Sequence, residues 1–143
     1  MTSDEAFVRY RDILQSLNAE TLDRLDHAVA PDVRFKDPFH EVTGPEAMKA
    51  VFSRLFATAA NIDFVVDDWA CRGDSTYFRW TLTAELSGKP WRVTGVTRVS
   101  FDAAGCVTDH VEYWDAASQL YERFPVIGSL LRYVRRRIAG PQT

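Results

Sequence analysis
The chain has 143 residues, 46% of them hydrophobic and 26% charged, with a net charge of −3. This balance describes a globular domain able to bury a core, and it gives nucleic acid no general electrostatic attraction. The opening MTSDEAF is acidic and has no apolar stretch, which argues against a signal peptide, and no run of about 18 apolar residues offers a membrane span.

Residues 4–17 place Phe7, Tyr10, Ile13, Leu14 and Leu17 at helical spacing, and Thr2 with Glu5 stands at capping-box positions. Asn18 is expected to cap a second helix over 19–29, with Leu22, Leu25 and Val29 on one face. A short strand is expected at 33–37. The stretch TGPEAM then starts another helix. Thr43 is expected to cap it and Glu46 to close the box, with Pro45 in the first turn. Met48, Val51, Phe52, Leu55 and Phe56 form its apolar stripe.

From Asn61 the hydrophobic period changes to two. IDFVVDDWACR reads as a strand and Gly73–Asp74 as a turn. Over 76–86 the even positions Phe78, Trp80, Leu82 and Ala84 are apolar and the odd ones mostly polar. SGKP is the next turn. Over 91–101 Val93, Val99 and Phe101 carry the apolar side, DAAG at 102–105 turns the chain, and CVTDHVEYWD is the last strand. Beyond Asp115 the pattern is helical again. Long strands joined by single tight turns form a meander, so an α+β fold is expected, with helices packed on one face of a curved antiparallel sheet. The whole of 1–143 reads as one domain, with 116–138 as a helical extension. Cys71 and Cys106 form no metal or redox motif, which fits a reducing, cytoplasmic setting without a disulfide.

Two segments, DVRFKDPF and GVTRVSFDAAGCVTDHVEYWD, together with the order of elements over residues 1–115, resemble the cone-shaped fold of the nuclear transport factor 2-like superfamily. That superfamily includes ketosteroid isomerases, SnoaL-type polyketide cyclases, limonene epoxide hydrolases and scytalone dehydratase. The resemblance implies an apolar pocket inside the cone. It sets Asp37 on the proton-shuttling aspartate of the ketosteroid isomerases and Trp80 and Trp114 on pocket-lining aromatics. Thr97 falls where those enzymes carry a protonated oxyanion aspartate, and Tyr10 lies about one turn from their oxyanion tyrosine. The fold hosts many unrelated activities, so function must be argued from the site.

Asp37 has two readings: a base in an apolar pocket, or a strand-end residue whose side chain caps a turn, with Pro38 fixing the backbone. On the last strand His110, Glu112 and Trp114 share one face. With Trp114 inside the cone, His110 and Glu112 also point inward, as an acid–base pair or as a self-satisfied polar network involving Tyr10 or Thr97. Asp115 is a catalytic candidate or a helix cap. Phe39, Phe78, Trp69 and Trp80 are expected to line the pocket or to fill the core. His40, Glu41, His110 and Glu112 offer metal-type donors, but no HExxH-like or cysteine-pair spacing accompanies them, and no metal or cofactor is expected.

The tail QLYERFPVIGSLLRYVRRRIAG is interrupted by Pro125 and Gly128 and carries five arginines against one acid. Val126, Ile127, Leu130, Leu131, Val134 and Ile138 fall on one side. This face is expected to dock on the mouth of the cone. A homodimer contact, or a membrane-surface or acidic-partner contact, is the alternative. The sequence therefore points to a lyase, isomerase or hydrolase working on a small hydrophobic molecule, with Asp37 as base, His110 and Glu112 as a pair, and Tyr10 as donor. A non-catalytic binding module is the other reading.

Overall fold
The computed structural model describes residues 1–141 of the chain. Helix α1 (Ser3–Gln15) opens with the capping box the sequence announces: Glu5 N donates to Thr2 Oγ1 at 3.1 Å and Thr2 N to Glu5 Oε2 at 2.9 Å. It buries Phe7, Tyr10 and Leu14. The strands are β1 (Val29–Lys36), β2 (Glu41–Thr43), β3 (Ala59–Arg72), β4 (Ser75–Leu86), β5 (Lys89–Phe101) and β6 (Val107–Tyr113). Helix α2 (Pro45–Thr58) lies between β2 and β3, and α3 (Ala116–Gln119) and α4 (Pro125–Ala139) follow β6. The sheet order is β2-β1-β6-β5-β4-β3, a curved and unclosed sheet with α1 and α2 packed against it. Among the described residues no helix is long and apolar enough to cross a membrane.

The alternation in β4 and β5 is realised. Phe78, Trp80, Leu82, Ala84, Trp91, Val93 and Thr97 are all buried on the concave face. One pairing departs from the antiparallel expectation. β1 runs parallel to β6, with Phe35 opposite His110 and Lys36 opposite Val111. The whole excursion through α2 and β3–β5 separates these two strands in sequence, so no hairpin constrains their direction.

Two local expectations are corrected. Residues 19–29 do not form an α-helix: a 3-10 turn spans Leu22–His27 and Val29 already belongs to β1. The side chains of Asn18 and Thr21 bond the nearby backbone, Glu20 N to Asn18 Oδ1 at 2.9 Å and Asn18 N to Thr21 Oγ1 at 2.9 Å, and this competes with helix initiation. Thr43 does not cap α2. It ends β2, and Gly44, at φ 96°, takes the cap position that a left-handed backbone demands. Glu46 turns instead to Lys49 Nζ at 2.8 Å.

Candidate functional site
The concave face of the sheet, α1 and α2 enclose a cavity of about 470 Å³. Its walls are Phe35, Phe52, Phe64, Phe78, Trp80, Trp91 and Trp114, with aliphatic side chains between them. Half-exposed Phe39 and Phe124 stand at its rim. Against this apolar background the polar side chains are few, and most of them arrive in pairs.

The first group is a chain of three. Tyr10 Oη lies 2.8 Å from His110 Nδ1, and His110 Nε2 lies 3.1 Å from Glu112 Oε1. Tyr10 and His110 are buried, and Glu112 reaches the cavity wall. Burial first, and then the charge of Glu112, push the Tyr10 phenol well above its usual range, so Tyr10 keeps its proton. The Glu112 carboxylate, an acceptor only, takes the hydrogen of Nε2, so that in the neutral ring Nδ1 is the acceptor and the Tyr10 hydroxyl donates to it. The ring of Phe35 is stacked on His110 at 5.0 Å, which fixes its plane. Two groups, Tyr10 from α1 and His110 from β6, thus hold the Glu112 carboxylate against an apolar volume.

The second group is Asp37 with His40. Asp37 Oδ1 accepts from Phe39 N at 2.8 Å, from His40 N at 2.7 Å and from His40 Nδ1 at 2.9 Å. Asp37 is thus the turn-former of the Pro38 loop and also lines the cavity. The third pair is Trp80 Nε1 donating to Thr97 Oγ1 at 2.8 Å, both buried. Thr97 faces Glu112 directly across β5 and β6.

The cavity brings together Asp37, His110, Glu112, Phe39, Phe78, Trp80, Thr97 and Trp114. Tyr10 stands behind His110 and outside the lining. Trp69 also lies outside it, correcting the pocket-lining expectation. Its ring sits 5.4 Å from Phe7 under the guanidinium of Arg11, and it is 38% exposed. A register shift between Val66 and Asp68 re-aims this end of β3 toward α1. Asp115 is exposed and caps α3, with Ser118 N on Oδ1 at 3.2 Å and Ser118 Oγ on Oδ2 at 2.6 Å. His40, weighed from the sequence only as a metal-type donor, proves to be a cavity residue paired with Asp37. The Asp-Pro-x-His spacing was the available signal.

The tail docks differently from the expected lid. Leu120 and Phe124 line the cavity, but the aliphatic face of α4 points away, with Val126 and Ile138 each 83% exposed. Gly128, Arg132 and Arg135 turn instead toward Glu122 in the turn that precedes α4. Gly128 lies so close to the Glu122 carbonyl that a Cβ would collide with it, and Arg135 pairs with the Glu122 carboxylate at 2.9 Å.

Solved structures share this architecture at sequence identities that speak for the fold alone. A proposed SnoaL-like polyketide cyclase from Jannaschia sp. CCS1 is 21% identical with a TM-score of 0.70, over 81% of this chain and 87% of that one. A Catenulispora acidiphila protein with a ketosteroid isomerase-like fold, in complex with trimethylamine, is 19% identical with a TM-score of 0.69, over 83% and 92%. An M. tuberculosis epoxide hydrolase of the LEH-like type is 15% identical with a TM-score of 0.66, over 96% and 95%. A search of curated proteins gave no match. The sequence profile of the SnoaL-like domain matches residues 10–110, and the chain accordingly belongs to the SnoaL-like domain family of the nuclear transport factor 2-like superfamily.

Proposed function
We propose that the protein binds a small hydrophobic molecule in the cavity and moves protons on it with its own side chains, Glu112 acting as the base. The observation that carries this reading is the Tyr10–His110–Glu112 chain, which ends in a carboxylate on an apolar wall. Burying polar groups has a desolvation cost even when they are hydrogen-bonded. Here that cost holds one carboxylate oxygen in place and leaves the carboxylate beside empty volume, an arrangement suited to general base chemistry. Trp80, Trp114, Phe78 and Phe39 supply the apolar walls, and Thr97 a hydroxyl next to the carboxylate. The reaction classes this arrangement serves are those isomerisations, cyclisations, dehydrations and hydrolyses that begin with removal of a proton from carbon or water. Family membership supports a small-molecule substrate.

The test uses 2-tetralone, a two-ring ketone with acidic C–H bonds beside its carbonyl. Exchange of these hydrogens with deuterated solvent, followed by proton NMR, is expected to be faster with the protein than with buffer. Glu112→Gln is expected to bind the ketone and lose the acceleration. Equal exchange in both proteins, with the ketone bound, favours a carrier of hydrophobic ligands. Native mass spectrometry of protein purified from its own host then identifies what the cavity retains.

A further inference from the structure
We infer that His40 is a second proton-carrying group of this site, oriented by Asp37 and serving the oxygen of the substrate while Glu112 serves its carbon or water. The inference rests on the reading of Glu112 as base. It begins with the hydrogen-bond capacity of Asp37. Its Oδ1 already takes three donors, and its Oδ2 lies 3.1 Å from His40 Nδ1. Its Oδ1 is thus committed to the loop, and its Oδ2 shares the Nδ1 hydrogen, so both oxygens are turned to His40. Being acceptor-only, the carboxylate requires that His40 Nδ1 carry a hydrogen. The other ring nitrogen, Nε2, has no hydrogen-bond partner among the described residues, and the ring lines the cavity. A carboxylate on one nitrogen of an imidazole fixes its tautomer and stabilises the imidazolium, which prepares the other nitrogen to exchange protons.

The sheet register brings this pair to the base. β1 runs parallel to β6 with Phe35 level with His110 and Lys36 level with Val111. Asp37 is the residue after the last paired position of β1, and Glu112 the residue after that position's partner on β6, so the chain carries both to the same end of the two strands. Two carboxylate–imidazole pairs, Asp37 with His40 and Glu112 with His110, thus line one cavity. The loop that carries His40 is braced by Phe39, whose ring meets Trp114 at 5.5 Å.

On a ketone the step balances without an added reactant. Glu112 takes the proton from the carbon beside the carbonyl, and the C–H electrons form the C=C bond. The carbonyl π electrons take the Nε2 proton of the His40 imidazolium, giving an enol, a neutral His40 and a protonated Glu112. On a β,γ-unsaturated ketone the enol is a dienol, and return of the Glu112 proton to its γ carbon, with the enol proton going back to His40, moves the double bond into conjugation and restores the site. On 2-tetralone a proton returns to the same carbon, which is the exchange the assay reads.

Two measurements test this. In the 2-tetralone exchange assay, His40→Gln is expected to slow exchange by on the order of 10²-fold with ketone affinity little changed, the range for one general acid. In wild-type protein, nitrogen NMR of the three histidines, assigned by single substitutions, is expected to show His40 protonated at Nδ1. Its Nε2 resonance should move when 2-naphthol, an aromatic mimic of the enol, is added, and Asp37→Asn should mix the tautomers. Wild-type exchange in His40→Gln overturns the inference and leaves Glu112 standing. Absence of exchange in wild-type protein removes the Glu112 reading. In that case an Nε2 indifferent to 2-naphthol overturns His40 as well, whereas a shifted one sustains it as the group that meets the ligand oxygen.

Discussion
Tyr10 and His110 are 100 positions apart in the chain, and their polar atoms meet at 2.8 Å in the core. The contact ties the first helix to the last strand and gives a donor to the Nδ1 acceptor of the tautomer that Glu112 selects. Tyr10→Phe leaves His110 Nδ1 buried without a donor, a loss expected to lower stability by about 1–3 kcal/mol in urea titrations. The substitution also has a pH signature. The folded-state pKa of Tyr10 is raised above its unfolded value of about 10. Its contribution is therefore complete below pH 10 and is lost as pH rises beyond that, at up to about 1.4 kcal/mol per pH unit. Lys49, raised by Glu46 first and then Asp26, adds a loss in the same direction, but it does so in both proteins. The difference between wild-type and Tyr10→Phe curves between pH 9 and 11 isolates the phenol. Parallel curves contradict a buried, protonated Tyr10.

Gly95 sits opposite Trp80 in the β4–β5 ladder. A Cβ there would stand 2.6 Å from Trp80 Cζ2 and 3.0 Å from the Cβ of Trp114. The Trp80 indole cannot swing aside freely, because Nε1 is bonded to Thr97. Gly95→Ala is expected to cost about 1–3 kcal/mol by overpacking and to push aromatic surface into the cavity, weakening 2-naphthol binding measured by fluorescence. Unchanged stability together with unchanged affinity would mean that the glycine is not what lets the two tryptophans form this wall.

Asp115→Ala removes the cap of α3. Hydrogen bonds from the Ser118 side chain, then from its backbone, hold the Asp115 carboxyl below its usual pKa. Its contribution is thus present above the ordinary aspartate range and fades as pH falls through the lowered value. For an exposed cap the loss is expected near 0.5–1 kcal/mol at neutral pH, shrinking in acid. Paired thermal melts at pH 7 and pH 3 measure it. A larger deficit at pH 3 than at pH 7 contradicts the capping assignment.

What the sequence could reveal was set by how local each cause is. The alternation Phe78, Trp80, Leu82, Ala84 depends on neighbours two apart, and it reads directly as the cavity wall. The inward set His110, Glu112, Trp114 is equally local. The partner of His110 is not local: the sequence offers both Tyr10 and Thr97, and only the packing of α1 against the sheet selects Tyr10. Asp37 was visible as both a turn-former and a base candidate, but its link to His40 depends on how the Pro38 loop closes. The 3-10 turn at Leu22–His27 was hidden because Leu22 and Leu25 fit a helical face as well as a tighter turn. In α4 the period identified an apolar face but not the side that docks. That choice was made by Gly128, where only a residue without a side chain fits against Glu122.

The tail gives the last prediction, because its two parts have opposite duties. Gln119 is the anchor. Its backbone carbonyl accepts from Trp91 Nε1 at 2.8 Å, its Oε1 accepts from Thr94 N at 2.8 Å, and its Nε2 donates to Thr94 O at 3.1 Å. Leu120 and Phe124 then complete the cavity wall. Beyond Pro125 the chain buries little and leaves Val126, Ile127, Leu130 and Ile138 exposed. Truncation after Phe124 is therefore expected to change stability by no more than about 1 kcal/mol, to retain 2-naphthol, and to reduce binding of a hydrophobic dye as an apolar patch is removed. Truncation after Ala117 strips three hydrogen bonds of about 1 kcal/mol each and part of a leucine's burial, a loss of roughly 2–4 kcal/mol. It should also open the cavity and increase dye binding. Differential scanning fluorimetry of the two truncations side by side decides the matter. If the shorter deletion alone lowers the melting temperature and releases the ligand, then α4 itself closes the cavity and the anchor is not Gln119.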